Sequence, residues 1–119
     1  MDSIPYFYEP INRMAILIRP KQPFFDWLNT AAPEPGGPIN HVEEHTVYLI
    51  REMDNNDLAR NWVKRHFDKL FVNELNDWIT DESTWPENRN YKLFTQWFDV
   101  EIHSMVLDLE EGPVEKDVF

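Results

Sequence analysis

The chain contains no cysteine and only three glycines among its 119 residues. The lack of cysteine excludes a disulfide framework, a thiolate nucleophile and a cysteine-ligated zinc site. The glycines, Gly36, Gly37 and Gly112, form neither a G-x-G-x-x-G nor a P-loop pattern. This excludes a glycine-rich nucleotide-binding loop, and we expect no cofactor.

Basic residues and long apolar runs are also scarce. Lysine and arginine together number 11, against 22 acidic residues, which gives a net charge of −11. A negative surface is repelled by phosphate backbones and anionic lipids, so we expect neither nucleic acid nor a membrane as partner. No stretch reaches the roughly 20 apolar residues of a spanning helix, and residues 1–5 lack the basic and apolar regions of a secretory signal. We predict a soluble, cytoplasmic protein whose charge either favours a basic protein partner or serves solubility alone.

Aromatic residues, by contrast, are abundant: 8 Phe, 5 Trp and 4 Tyr. Large rings dominate the energetics of cores and interfaces, and a chain of this length buries roughly two-thirds of its unfolded surface. We predict a single domain over residues 1–119. It consists of an N-terminal arm at 1–12, a core at 13–109 and an acidic tail at 110–119.

Hydrophobic periodicity predicts the order strand, helix, strand, helix, helix, strand. The predicted strands are 13–19, 46–51 and 101–109, and the predicted helices are 24–30, 57–79 and 91–98. Strands separated by helices favour parallel pairing. The fold class is therefore α/β or α+β, with a small three-stranded β-α-β-α-α-β sheet packed by helices. The alternative is a ferredoxin-like mixed sheet with a fourth strand in the N-terminal arm.

Several segments resemble a known family of small bacterial proteins, classed as a domain of unknown function. They are residues 18–29, Thr-Val-Tyr-Leu-Ile at 46–50, Trp-Pro-Glu-Asn-Arg at 85–89, and residues 97–106. The resemblance covers about residues 13–109 and implies no activity, ligand or site residue. The element order and acidity also resemble the barstar family of intracellular inhibitors, which has a small parallel sheet. That likeness rests on topology and charge, and a fold does not imply a function.

Residues 41–45 match the H-x-x-E-H pattern of inverted zincins. The chemistry needs His41 and His45 on one face of a helix, with Glu44 activating a zinc-bound water. Here we predict only a short helical turn capped by Asn40, between a loop rich in proline and glycine and a strand. We favour surface histidines over zinc catalysis, and His41 and His45 are the only candidate metal ligands.

Glu74 is the main candidate for a functional acid. A helical wheel places it in the apolar stripe of the long helix, and a carboxylate facing a core must be paired, hydrogen-bonded or protonated. Arg19 ends the first strand, and His103 is assigned to the inner face of the third. One hypothesis is an acid–base site in which Glu74, His103 and Arg19 meet at one end of the sheet. The alternative, which we favour, is a structural ion pair or a helix that breaks before Glu74.

Trp85 and Asp26 are candidate binding residues. Trp85 lies in a loop beside Pro86, where it either anchors an interface or, as we favour, folds back over the core. Asp26 lies just beyond the end of the first strand. The other four tryptophans occupy inward helical positions and are expected in the core.

These observations favour a non-enzymatic protein–protein interaction module of the inhibitor, immunity or regulatory kind. The supporting features are the small size, the negative charge, the many aromatic residues and the lack of a convincing catalytic set. The alternative is a small enzyme or ligand-binding domain that uses Glu74, His103 and Arg19.

Overall fold

The computed structural model describes residues 10–117, in which strands and helices form a mixed α and β architecture. The elements are β1 (Arg13–Pro20), α1 (Gln22–Ala31), β2 (Thr46–Arg51), α2 (Asn56–Arg65), α3 (Phe67–Asn76), a 3-10 turn (Glu82–Thr84), α4 (Tyr91–Trp97) and β3 (Phe98–His103). The predicted order is confirmed, with the long helix divided in two. None of the helices formed by residues 10–117 has the length and apolarity needed to cross a membrane.

The sheet has the order β2-β1-β3, and β1 pairs antiparallel with both neighbours. The predicted parallel pairing is therefore wrong. Thr46 pairs with Ile18 and Phe98 pairs with Pro20, so β2 and β3 both begin at the end where β1 finishes. The helical connection does join two strands of the same direction, β2 and β3, but β1 lies between them. The rule for crossovers concerns chain direction, and the sequence carried no information on which strands are neighbours.

The N-terminal arm contributes only a short extension of this sheet within the described residues. Pro10 forms an isolated antiparallel bridge with Leu107, and the backbone N–H of Ile11 donates to the carbonyl of Val106 over 2.8 Å. Residues 10–117 contain no fourth strand. The rest of the predicted arm, residues 1–9, lies outside the described residues, as does the end of the predicted tail at 118–119.

Strand β3 begins three residues earlier than predicted, and this changes the direction of its side chains. Phe98 is already extended, with φ −139° and ψ 143°, and it is buried. Because strand side chains alternate, Val100 and Ile102 point to the same side as Phe98. His103 therefore lies on the outer face, and its predicted position toward the core is wrong.

The predicted helix at 57–79 divides at His66, which has φ −117° and ψ 18°. The imidazole of His66 stacks on the ring of Trp62 with centroids 4.2 Å apart, and its Nδ1 lies 2.8 Å from the Trp62 carbonyl oxygen. The backbone N–H of His66 still donates to the Trp62 carbonyl over 3.0 Å, so the hydrogen-bond ladder of α2 reaches His66. The non-helical backbone angles of His66 then separate α2 from α3.

All four helices pack on one face of the sheet, and aromatic rings fill the space between the two layers. The fully buried side chains of this core include Phe24, Phe71, Phe94, Phe98, Met14, Ile16, Ile18, Leu75 and Val63. None of the described helices packs on the opposite sheet face. Val47 and Leu49 of β2 remain 56% and 47% exposed there.

Polar caps and one loop tryptophan complete the framework. Asn55 accepts a hydrogen bond from the N–H of Leu58 at the start of α2, and Asn90 does the same for Leu93 at the start of α4. The indole N–H of Trp85 donates to the Ile79 carbonyl over 2.8 Å, and its ring is only 9% exposed. Trp85 thus covers the core, as the favoured interpretation predicted.

Candidate functional site

A cleft of about 600 Å³ opens at the end of the sheet where β1 finishes. Ile18, Pro20 and Thr46 line it from the sheet. Residues 41–45 form one wall, and Glu74 with the two residues that follow the end of α3, Asp77 and Trp78, form the other. We call this the Glu74 cleft.

The wall at 41–45 is an irregular loop, so the predicted helical turn is wrong. Asn29 of α1 holds the segment before it: its Nδ2 donates to the Ile39 carbonyl and its Oδ1 accepts from the Ile39 N–H, each over 2.8 Å. Five residues are too few to form a helix in water without strong packing. His41 and His45 are therefore not on one helical face, as the zincin pattern requires.

Glu74 is buried, with 6% of its surface exposed. Its Oε2 accepts a hydrogen bond of 2.5 Å from the hydroxyl of Tyr48 on β2. Burial raises the pKa of Glu74 above its ordinary value, and the negative charge of Asp77 adds to this. Hydrogen bonds from Tyr48 and Thr46 oppose the rise in pKa because they stabilise the ionised form.

Tyr48 joins Glu74 to a second polar side chain of α3. The Nδ2 of Asn73 donates to the Tyr48 hydroxyl oxygen over 2.8 Å, while that hydroxyl donates to Glu74. Burial, followed by the hydrogen bond and charge of Glu74, raises the pKa of Tyr48 well above its ordinary value. Tyr48 is thus a fixed hydrogen-bond donor that orients the carboxylate at the cleft.

The Glu74 cleft has a strongly acidic lining. Its ionisable lining residues are four carboxylates and two imidazoles: Glu43, Glu44, Glu74, Asp77, His41 and His45. None of the described lining residues is lysine or arginine. Trp78 adds an indole ring that is 43% exposed. Within residues 10–117, no three His, Asp or Glu side chains are grouped to hold a metal ion.

The structure does not bring Arg19 and His103 to Glu74. Both lie on the outer sheet face, where Arg19 pairs with one oxygen of Glu101 and His103 Nε2 lies 3.3 Å from the other. Glu74 packs on the inner face. Because the sheet separates the two groups, the hypothesis of a joint acid–base site is wrong.

The two predicted binding residues also lie outside the Glu74 cleft. Trp85 is part of the core cluster. Asp26 is exposed on α1, accepts a hydrogen bond of 2.8 Å from Gln22 Nε2, and lines a separate groove.

Sequence reasoning missed the positions of two residues, Tyr48 and Trp78, at the cleft. Tyr48 was detectable, since it alternates with the buried Ile50 and so faces the helices. Trp78 was expected in the core because the helix was extended to residue 79. The Asn76-Asp77 pair, whose residue types favour helix ends, indicated the earlier stop that exposes Trp78.

Comparisons of this chain with protein-family models, curated proteins and solved structures find no match. The resemblance to a small bacterial family, and to the barstar family, therefore stays a prediction. Conclusions about function rest on the geometry and charge of the described residues.

Proposed function

We propose that the protein is a non-enzymatic interaction module that binds a basic segment of a partner protein through the Glu74 cleft. The observation that carries this proposal is the lining of the cleft: four carboxylates, no lysine or arginine among the described lining residues, and an exposed indole. A lysine or arginine side chain complements this lining in charge.

Trp78 favours an organic cation. One side of its indole packs edge-on against Phe24, with centroids 6.4 Å apart, and the ring remains partly exposed. An ammonium or guanidinium group on an exposed aromatic face gains about 0.5–1 kcal/mol. Asp77, directly before Trp78 in the chain, adds a carboxylate to the lining of the same cleft.

The net charge of −11 acts in the same direction. A protein of this charge attracts a basic partner over distances of about a Debye length and speeds their encounter. The cleft then provides the local contacts that a diffuse charge lacks, because short-range pairs decide orientation as well as rate.

The test is a binding titration with a short Ala-Lys-Ala-Arg-Ala peptide, followed by 15N NMR of the tryptophan indole groups at low salt. We expect the Trp78 resonance to shift, and the affinity to fall as salt rises. Trp78→Ala or Asp77→Asn should each weaken binding by up to about fivefold, which corresponds to about 1 kcal/mol.

The matched control is Glu87→Gln, which removes one exposed negative charge outside the cleft. If Glu87→Gln and Asp77→Asn lower the affinity equally, the peptide responds only to the net charge of the protein, and the proposal is refuted. Binding of a control peptide with glutamate in place of lysine and arginine would refute it as well.

A further inference from the structure

A second groove, of about 590 Å³, lies away from the Glu74 cleft. Helix α1 contributes Pro23, Asp26 and Trp27 to it, the loop after the 3-10 turn contributes Pro86, and α4 contributes Trp97. We call it the Trp27 groove. Four of its eight lining residues are tryptophan or proline, and the exposed Thr30 and Ala31 at the end of α1 complete that side.

Hydrogen bonds within the protein fix one side of the groove. The indole N–H of Trp27 donates to the Thr84 carbonyl over 2.8 Å, and the Thr84 hydroxyl donates to the Asp81 carbonyl over 2.8 Å. The rings of Trp27 and Trp97 lie 6.1 Å apart at 45°. The polar groups of Trp27 and Thr84 are thus already engaged, and the groove offers ring surface more than hydrogen bonds.

These properties select for proline. Its compact apolar ring packs on indole faces, its tertiary amide has no N–H that needs an acceptor, and a proline-rich segment is extended before it binds. Asp26 adds one charge: its carboxylate is exposed and accepts from Gln22 Nε2, and no described lining residue is basic.

We propose that the Trp27 groove binds an extended, proline-containing segment of a partner protein that carries a lysine or arginine next to its prolines. A second copy of this chain fits less well. Its own proline-rich stretch at 33–38 contains Glu34 and no basic residue, so it would bring a negative charge to Asp26.

The test uses 15N NMR titration with the peptide Pro-Pro-Lys-Pro-Pro, acetylated and amidated. We expect saturable shifts of the Trp27 and Trp97 indole resonances that exceed any shift of Trp78, which the lysine alone can cause at the Glu74 cleft. Replacing the prolines by glycine should abolish the Trp27 and Trp97 shifts, because the flexible peptide loses its ring contacts and preorganisation. Replacing the lysine by glutamate should weaken binding.

Two variants locate the site. Ala31 lines the groove and is exposed at the end of α1, so Ala31→Arg should fill the groove, leave the fold intact and abolish the shifts. Asp26→Asn should lower the affinity for the lysine peptide by about two- to fivefold. The affinity for a peptide with alanine in place of lysine should not change. Glu111→Gln removes one exposed charge that lies outside both sites and should have no effect.

Four results would each overturn the inference: no shift at millimolar peptide, equal binding of the glycine peptide, shifts centred on Trp78, or concentration-dependent shifts without peptide. The last result would identify a second copy as the occupant. The Trp27 resonance reports on this groove and the Trp78 resonance on the Glu74 cleft. The glycine peptide keeps its lysine, so it should lose the Trp27 shift and keep any Trp78 shift, which makes failure of the two proposals distinguishable.

Discussion

The hydroxyl of Tyr48 on β2 donates a 2.5 Å hydrogen bond to the buried carboxylate of Glu74 on α3. This bond joins the edge of the sheet to the helix that carries the acidic cleft. It gives the carboxylate a donor in an environment that otherwise disfavours its charge. The first two predictions concern this pair.

Glu74 should make the protein less stable as pH rises. Its pKa is raised in the folded state, so above the ordinary glutamate value near 4.5 the folded protein keeps a proton that the unfolded chain loses. Stability therefore falls as pH rises from there through the folded pKa. Glu74→Gln, which still accepts from Tyr48, should remove this fall. Urea unfolding from pH 4 to 8 measures the free energy of unfolding of both proteins, with Glu87→Gln as control. A difference between wild type and Glu74→Gln that does not change with pH would contradict the prediction.

Tyr48→Phe should lower the free energy of unfolding by about 1–3 kcal/mol, since a buried acceptor on Glu74 loses its donor. The same substitution should cost less in a Glu74→Leu background, where no carboxylate remains. A double-mutant cycle by urea unfolding gives the coupling energy. Additive effects of the two substitutions would show that the bond contributes nothing to stability.

Asn88 is the only described non-glycine residue with a positive φ, 56°. Asparagine tolerates this left-handed conformation, whereas alanine is disfavoured there by about 1–2 kcal/mol. We expect Asn88→Ala to lower the thermal midpoint and Asn88→Gly to leave it nearly unchanged. Calorimetry of the three proteins decides this; an alanine variant as stable as wild type would contradict the prediction.

Phe71 is fully buried and packs against Phe94, Trp97 and Phe98, with ring centroids 5.4–5.8 Å away. Phe71→Ala should therefore cost about 3–5 kcal/mol, through lost contacts and a residual cavity. Leu49→Ala on the open sheet face should change stability by less than about 0.5 kcal/mol. Denaturant unfolding compares the two, and similar losses would argue against the two-layer core.

Arg19→Ala and His103→Ala should leave binding of the basic peptide unchanged, because both residues lie across the sheet from the Glu74 cleft. The ion pair of Arg19 with Glu101 is exposed and contributes about 0–1 kcal/mol to stability. The measurement is the same peptide titration used for Trp78→Ala. A clear loss of affinity in either variant would place the binding surface elsewhere.

Local patterns were sufficient for most elements of the fold. The apolar run at 13–19, the alternating strand at 46–51 and the capping cluster before α2 depend on neighbouring residues, so they are readable from the chain. The helical wheel also placed Glu74 on the buried face. The helical wheel did not identify the hydrogen-bond partner of Glu74, because Tyr48 is 26 residues away in the chain and contacts Glu74 only in the folded protein.

The sequence by itself determined that this is a small acidic chain of three strands and intervening helices with an aromatic core. Only the tertiary structure decided that β1 is central and antiparallel, that His103 faces outward, and that residues 41–45 lie beside Glu74 and Trp78. Spacing along a chain fixes which side of its own element a residue occupies. Which elements become neighbours depends on long-range packing and on strand register, and a shift of one residue in register reverses every side chain.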